Sequence, residues 1–321
     1  MPNLLIITQK ADKDDQLLGF FVSWIQEFKK FFSRVTVTAL RAPEKSWLRL
    51  GLQILWQVPR HDAVFVHMAP MFAILAGPWA RLWGKRIGLW YTHGTVTWKL
   101  RLAEKLVHVI FTASPESFRL TSSKVIVTGH GIDTEHFSPS TKSEARNPKL
   151  LKILSVGRIA PVKNYESLID ALALLHRRNI SVHLTMVGEP AVAQDFAYRE
   201  KLKNLAQQRG VENNITWAGK IGYDHMPVQY QAHDVFVHLS RTGSLDKVIL
   251  EAMACGISVV SSNDASRSFL PSELIIPHND PAILAQKLVS CKDQPLDSKL
   301  RQYVVAHHGL GNLIALLSKN L

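Results

Sequence analysis

Short runs of Val, Ile, Leu and Phe alternate with amphipathic segments along almost the whole chain, and no other feature limits the fold as much. In the first half the runs at residues 4–7, 35–39, 63–66, 87–90, 109–112 and 124–127 read as strands. Segments at 17–32, 46–58 and 71–83 between them carry apolar residues at helical spacing. The pattern restarts after residue 150, with strands at 152–156, 182–187, 215–217, 235–239 and 257–260. Strands apolar at every position are buried on both faces, so βα repetition implies parallel sheets covered by helices. Between the halves, SPSTKSEARNPK (residues 138–149) is polar, holds two prolines and lacks apolar periodicity, as a linker does. The expected organisation is a domain over residues 1–140, a second over 150–305, and a closing helix over 306–321. At 321 residues, each half can hold its own core. In such folds ligands sit at the carboxyl ends of the strands.

One stretch concentrates the chemistry. Residues 240–262, SRTGSLDKVILEAMACGISVVSS, read as a loop through Thr242, Gly243 and Ser244, a helix over 247–255, a glycine stop and a buried strand. Asp246 is placed to cap that helix. A strand, a glycine-bearing loop and a helix start in this order bring free N–H groups and the helix dipole to one place, which suits an anion. Further upstream, SVGRIAPVKN (155–164) closes a strand with Gly157 and sets Arg158 and Lys163 five residues apart. Such a pair suits a diphosphate, with Arg binding in two-point fashion and Lys as a mobile point charge. Gly188 and Gly219 close two further strands, in LTMVGEP and WAGK.

These motifs together resemble the retaining GT-B glycosyltransferases of family 4. LEAMACGISVV is similar to that family's E-x7-E signature followed by A-M-A-x-G-x-P-V-V, with Glu251 at the second glutamate. Gly243 stands where the first glutamate is expected, which is the chain's main departure from the pattern. The resemblance implies a GT-B α/β fold of two doubly wound Rossmann-like domains facing a cleft. It implies a nucleotide-diphosphate sugar as donor, transfer of a hexosyl unit with retention, and no obligatory metal. Arg158 and Lys163 match the family's G-R-x4-K segment and would hold the leaving diphosphate. Gly157, Gly188, Gly219, Gly243, Ser244, Leu245 and Glu251 fall in its donor-binding segments, with Glu251 accepting from ribose hydroxyls. Asp246 is the candidate substitute for the first glutamate. His93, in Tyr91-Thr-His-Gly94, lies in a stretch that resembles the family's T-x-H segment, whose histidine acts near the reacting carbon; His67, also ending a strand, is the second choice. Gly129-His-Gly-Ile-Asp133 is similar to a hinge segment, and the final helix is expected to return to the first domain. The competing class is a GT-B binding or scaffold protein without catalysis, which the missing first glutamate permits.

Charge and composition narrow the partners. The net charge of +12 is concentrated: ten Lys and Arg against Glu44, Asp62 and Glu104 lie between Arg41 and Lys105, with six of the eight tryptophans. Two readings stand, a basic surface over an aromatic core or a face meeting anionic lipid. The acceptor is expected to be a saccharide or lipid-linked. No nucleic-acid motif accompanies the charge. Two cysteines make no disulfide framework or zinc spacing, and the start MPNLLIITQK lacks a secretory leader's basic region. A cytoplasmic protein, peripheral at the inner face of the membrane, is the expectation. The acidic loop with Asp12, Asp14 and Asp15 either binds Mg2+ or acceptor hydroxyls, or is a solvated loop capping the next helix.

Overall fold

The computed structural model describes residues 1–13, 15, 18–39, 47–140, 149–240, 244–292 and 298–321. The chain forms two compact units, Met1–Asp133 with His307–Leu321, and Thr134–Ala306. The linker expected at 138–149 lies largely outside the described residues.

The first unit runs β1 (Asn3–Thr8), α1 (Phe21–Phe28), β2 (Arg34–Ala39), α2 (Trp47–Gln57), β3 (Ala63–His67), α3 (Pro70–Leu82), β4 (Arg86–Trp90), α4 (Trp98–Leu106), β5 (Val109–Thr112) and β6 (Val125–Val127). Its strands form one parallel sheet in the order β2-β1-β3-β4-β5-β6. Because successive side chains leave a strand on opposite faces, its unbroken apolar runs feed two cores. Leu5, Ile7, Val64, Val66 and Leu89 pack under α2, α3 and α4. Leu4, Ile6, Phe65, Trp90 and Phe111 pack against α1 on the other face, with its Phe21, Trp24 and Phe28.

The expected helix over 17–32 is cut down to α1. Asp15 turns the chain first, its Oδ1 accepting from Leu18 N–H at 2.9 Å and its carbonyl from Gly19 N–H at 2.9 Å. At the other end Ser33 N–H donates to the Pro2 carbonyl at 2.9 Å, which draws the chain into β2. The acidic loop carries its own counter-ion: Lys10 Nζ lies 2.7 Å from Asp15 and 3.4 Å from Asp12. Asp14 lies outside the described residues. Among the described residues no group of three His, Cys, Asp or Glu could hold a metal ion.

The second unit runs β7 (Leu151–Val156), α5 (Tyr165–Arg177), β8 (Val182–Val187), α6 (Ala193–Gln208), β9 (Ile215–Gly219), α7 (Met226–Gln231), β10 (Val235–His238), α8 (Lys247–Ala254), β11 (Ser258–Ser261) and α9 (Pro281–Cys291). Its sheet is parallel in the order β11-β10-β7-β8-β9. Then α10 (Ser298–His308) leads to α11 (Leu310–Asn320), which belongs to the first unit. There Leu313, Ile314 and Leu317 are buried in the core that α1 also lines. The segment over 129–132 fastens it. Ile132 N–H donates to the His308 carbonyl, and Leu310 N–H to the Ile132 carbonyl, at 2.6 and 2.8 Å. Gly131 has φ +67°, a conformation that favours glycine, and a Cβ there would stand 2.3 Å from Leu313 Cδ2 and force that side chain to shift.

The outer surface of α2–α4 is neither fully polar nor covered. Leu52, Trp56, Leu82, Trp83 and Trp98 are each more than half exposed. Arg60 lies over the Trp56 ring, 4.0 Å from its centroid. Among the described residues no helix is long and apolar enough to cross a membrane. Cys255 and Cys291 are both buried and free.

Candidate functional site

The carboxyl ends of β7, β8 and β9 are laced together by backbone. Gly157 N–H donates to the Val187 carbonyl at 2.9 Å, and Gly188 N–H to the Gly219 carbonyl at 2.8 Å. A Cβ on Gly188 would lie 2.0 Å from the Gly157 oxygen, so only glycine lets these strand ends approach. The result is a backbone-surfaced shelf at the end of the sheet where ligands of such folds bind.

Two cations flank that shelf. Arg158 follows Gly157 directly and is half-exposed, with Nε 3.6 Å from the buried Asp195 carboxylate. Asp195 Oδ2 accepts from Ala191 N–H at 3.2 Å, while Oδ1 is buried with no hydrogen-bond partner among the described residues. Lys163 ends a short helical turn (Pro161–Lys163), and Asn164 at φ +51° then redirects the chain into α5. Lys163 is mostly buried, and its Nζ lies 2.7 Å from Asp246 Oδ2. His238, the last residue of β10, is buried and places Nε2 2.6 Å from the same oxygen.

Asp246 therefore does something other than the expected capping. It occupies the position before α8, but its side chain makes no cap hydrogen bond. The carboxylate turns to Lys163 and His238 because a cation 83 residues away in sequence is a stronger partner than an amide. Burial alone would raise its pKa, yet His238 and Lys163 override that and hold the carboxyl well below the usual range. Burial pushes His238 down, and the Lys163 charge adds to this against the pull of Asp246. The cluster thus gathers the Lys163 amine and the His238 imidazole on one oxygen of the Asp246 carboxylate. Lys163 has three N–H donors and, among the described residues, spends one on Asp246, which leaves two for a ligand.

Glu251 lies one turn along α8 from Lys247 and is buried. The Tyr230 hydroxyl donates to its Oε2 at 3.0 Å. Burial raises the Glu251 pKa, opposed by the charge of Lys247 and the bond from Tyr230. Leu245 is buried, and the Ser244 carbonyl accepts from Asn263 Nδ2 at 2.9 Å, which fixes the loop before α8. Gly243 lies outside the described residues.

Gly157, Arg158, Lys163, Gly188, Gly219, Ser244, Leu245, Asp246 and Glu251 thus all belong to the second unit, on strand ends, the following loops or α8. His93 belongs to the first unit, exposed beyond the end of β4, and its Nδ1 accepts from Thr95 N–H at 3.1 Å. His67 is a core residue: it stacks on Phe21 with centroids 3.9 Å apart, and its Nδ1 is 3.2 Å from Thr8 Oγ1. Sequence reasoning passed over His238, Tyr230 and Asp195. For His238 a signal existed, a histidine closing a buried strand eight residues before an aspartate.

Two parallel sheets with this shelf define an α/β fold of the GT-B kind. A solved Anabaena protein, Alr3699/HepE in complex with UDP and glucose, shares it with a TM-score of 0.80 over 99% of both chains at 16% identity. Residues 138–301 match the model of the family described as glycosyl transferases group 1, and the chain belongs to that family. A Mycobacterium tuberculosis relative named GDP-mannose-dependent alpha-(1-6)-phosphatidylinositol monomannoside mannosyltransferase is 28% identical over 236 residues. That match covers 64% of this chain and 60% of the relative. A D-inositol 3-phosphate glycosyltransferase from Mycolicibacterium gilvum is 31% identical over 144 residues, 43% of this chain and 31% of that one. The chain therefore spans less than two thirds of the length of these relatives.

Proposed function

We propose that this protein is a retaining glycosyltransferase that moves a hexosyl unit from a nucleotide-diphosphate sugar to a hydroxyl of a glycolipid or polysaccharide precursor. The observation that carries this is the pairing of Arg158 and Lys163 beside the glycine shelf, within the region that matches the family. A diphosphate laid there meets backbone on one side and two cations on the other, which supplies the charge a departing diphosphate needs. In the step proposed, the bond from the anomeric carbon to the β-phosphate oxygen breaks and its electron pair leaves with the diphosphate. The acceptor oxygen bonds to that carbon on the same face, and its proton passes to the departing phosphate. Glu251 accepts from the ribose hydroxyls, and His93 is the residue that the family's histidine segment assigns to the sugar or phosphate. Asp246 has a second carboxylate oxygen to offer a sugar hydroxyl, the duty that Gly243 cannot perform. The names of the mycobacterial relatives favour GDP-mannose as donor and an inositol lipid or phosphate as acceptor.

A membrane-borne acceptor agrees with the surface of α2–α4. Exposed Trp56, Trp83 and Trp98, with Arg60 over the Trp56 ring and Lys99 over the Trp98 ring, are the residues that favour a headgroup interface. The protein would then work peripherally at the inner face of the membrane. Co-sedimentation with anionic vesicles at low salt, lost at high salt, is the expected behaviour; no binding at low salt rejects the membrane surface alone.

Thermal shifts with GDP, UDP, ADP and CMP and their sugars test the donor site. A nucleotide at a hundredfold excess over its Kd stabilises the fold by about 2.7 kcal/mol. We expect one base to do so in the native protein and to fail in Arg158→Ala and Glu251→Ala. A scaffold without catalysis is the second reading, favoured by Gly243 at the first glutamate position. No shift with any nucleotide puts that reading first.

A further inference from the structure

We infer that His238 is a positioning residue of the donor site, holding Asp246 so that Lys163 points its remaining N–H donors at the donor's β-phosphate. The geometry is a fork on one atom: Asp246 Oδ2 lies 2.6 Å from His238 Nε2 and 2.7 Å from Lys163 Nζ. A carboxylate bound by Lys163 alone could rotate with that flexible side chain. His238 cannot follow such a rotation, because it closes β10 inside the sheet, is buried, and lies parallel to Phe236 with centroids 6.1 Å apart. Ser262 N–H donates to its carbonyl at 3.1 Å, which ties the same residue to the end of β11. The sheet thus sets the imidazole, the imidazole sets the carboxylate, and the carboxylate sets the ammonium.

The charged groups facing His238 are Asp246 from the start of α8 and Lys163 from the turn after β7. Tyr165 of α5 stands next to them, its hydroxyl donating to the Gly157 carbonyl at 3.4 Å. A neutral imidazole is the form this arrangement needs. A protonated one would be a second cation competing with Lys163 for one oxygen, and would loosen the carboxylate's hold on the ammonium.

The inference rests on the donor-site reading for its binding arm and is independent of it for its spectroscopic arm. In long-range proton–nitrogen spectra of labelled protein, His238 is expected as the neutral Nε2–H tautomer across the neutral range. A protonated ring, or the opposite tautomer, overturns the inference whether or not any nucleotide binds. In calorimetric titrations, His238→Leu should weaken the preferred nucleoside diphosphate about tenfold, while the corresponding monophosphate, lacking the β-phosphate, changes little. His238→Gln, which keeps an N–H near the Nε2 position, should recover most of the loss. Equal loss of mono- and diphosphate would mean a merely structural residue and overturn the inference, as would unchanged diphosphate binding in His238→Leu. If the native protein binds no nucleotide, the donor reading falls and the tautomer decides this one alone.

Discussion

The same tetrapeptide, Val-Phe-Val-His, ends one buried strand in each unit, as residues 64–67 and 235–238. Both histidines close a strand of a parallel sheet and both are buried. Their surroundings differ completely. His67 is packed among Phe20, Phe21 and Trp24 and stands near a threonine hydroxyl. His238 meets a carboxylate that a lysine also binds. An imidazole at the end of a strand is therefore a core aromatic or part of a charged cluster according to what the next loops bring to it. Helix α1 brings rings to the first; the turn after β7 and the loop before α8 bring charges to the second.

Three changes break or sharpen this contrast. Asp246→Ala removes what only His238 has, and should lower donor turnover about a hundredfold or more in a steady-state assay. It also leaves Lys163 mostly buried without its counter-ion, so a retained melting profile must accompany the loss. Milder is the loss of pairing with pH. A carboxyl held below its unfolded value contributes stability that is complete above the unfolded value, about pH 4, and disappears as pH falls through the folded one. Melting temperature should therefore fall more steeply below about pH 5 in the native protein than in Asp246→Asn. An identical slope in both would show that the pairing adds nothing. The smallest effect belongs to the other histidine: His67→Phe should leave nucleotide affinity within about twofold and cost about 1–2 kcal/mol in denaturant unfolding. A tenfold loss of affinity there would dissolve the contrast.

Much of the fold was legible before any coordinates. Apolar runs such as Leu4–Ile7 and Val235–Val237 could only be strands buried on both faces, and the glycine stop at Gly256 is confirmed at φ +77°. That Arg158 and Lys163 follow the end of β7 was legible too, because their spacing after Gly157 is local. The ends of α1 were not, since the start depends on Asp15 folding back and the exit on Ser33 reaching Pro2. Nor was the task of Asp246, which its position before a helix presents as a cap.

The sequence by itself determined where strands, glycine turns and charges fall, because those depend on side-chain period and on neighbours a few residues away. Tertiary structure alone decided what the charges face. Asp246 became a counter-ion and His238 its support because parallel pairing of β7 with β10 brings the end of β10 beside the turn holding Lys163. Contacts between residues so far apart follow from strand order, and strand order is set by how the whole sheet packs rather than by any one stretch of chain.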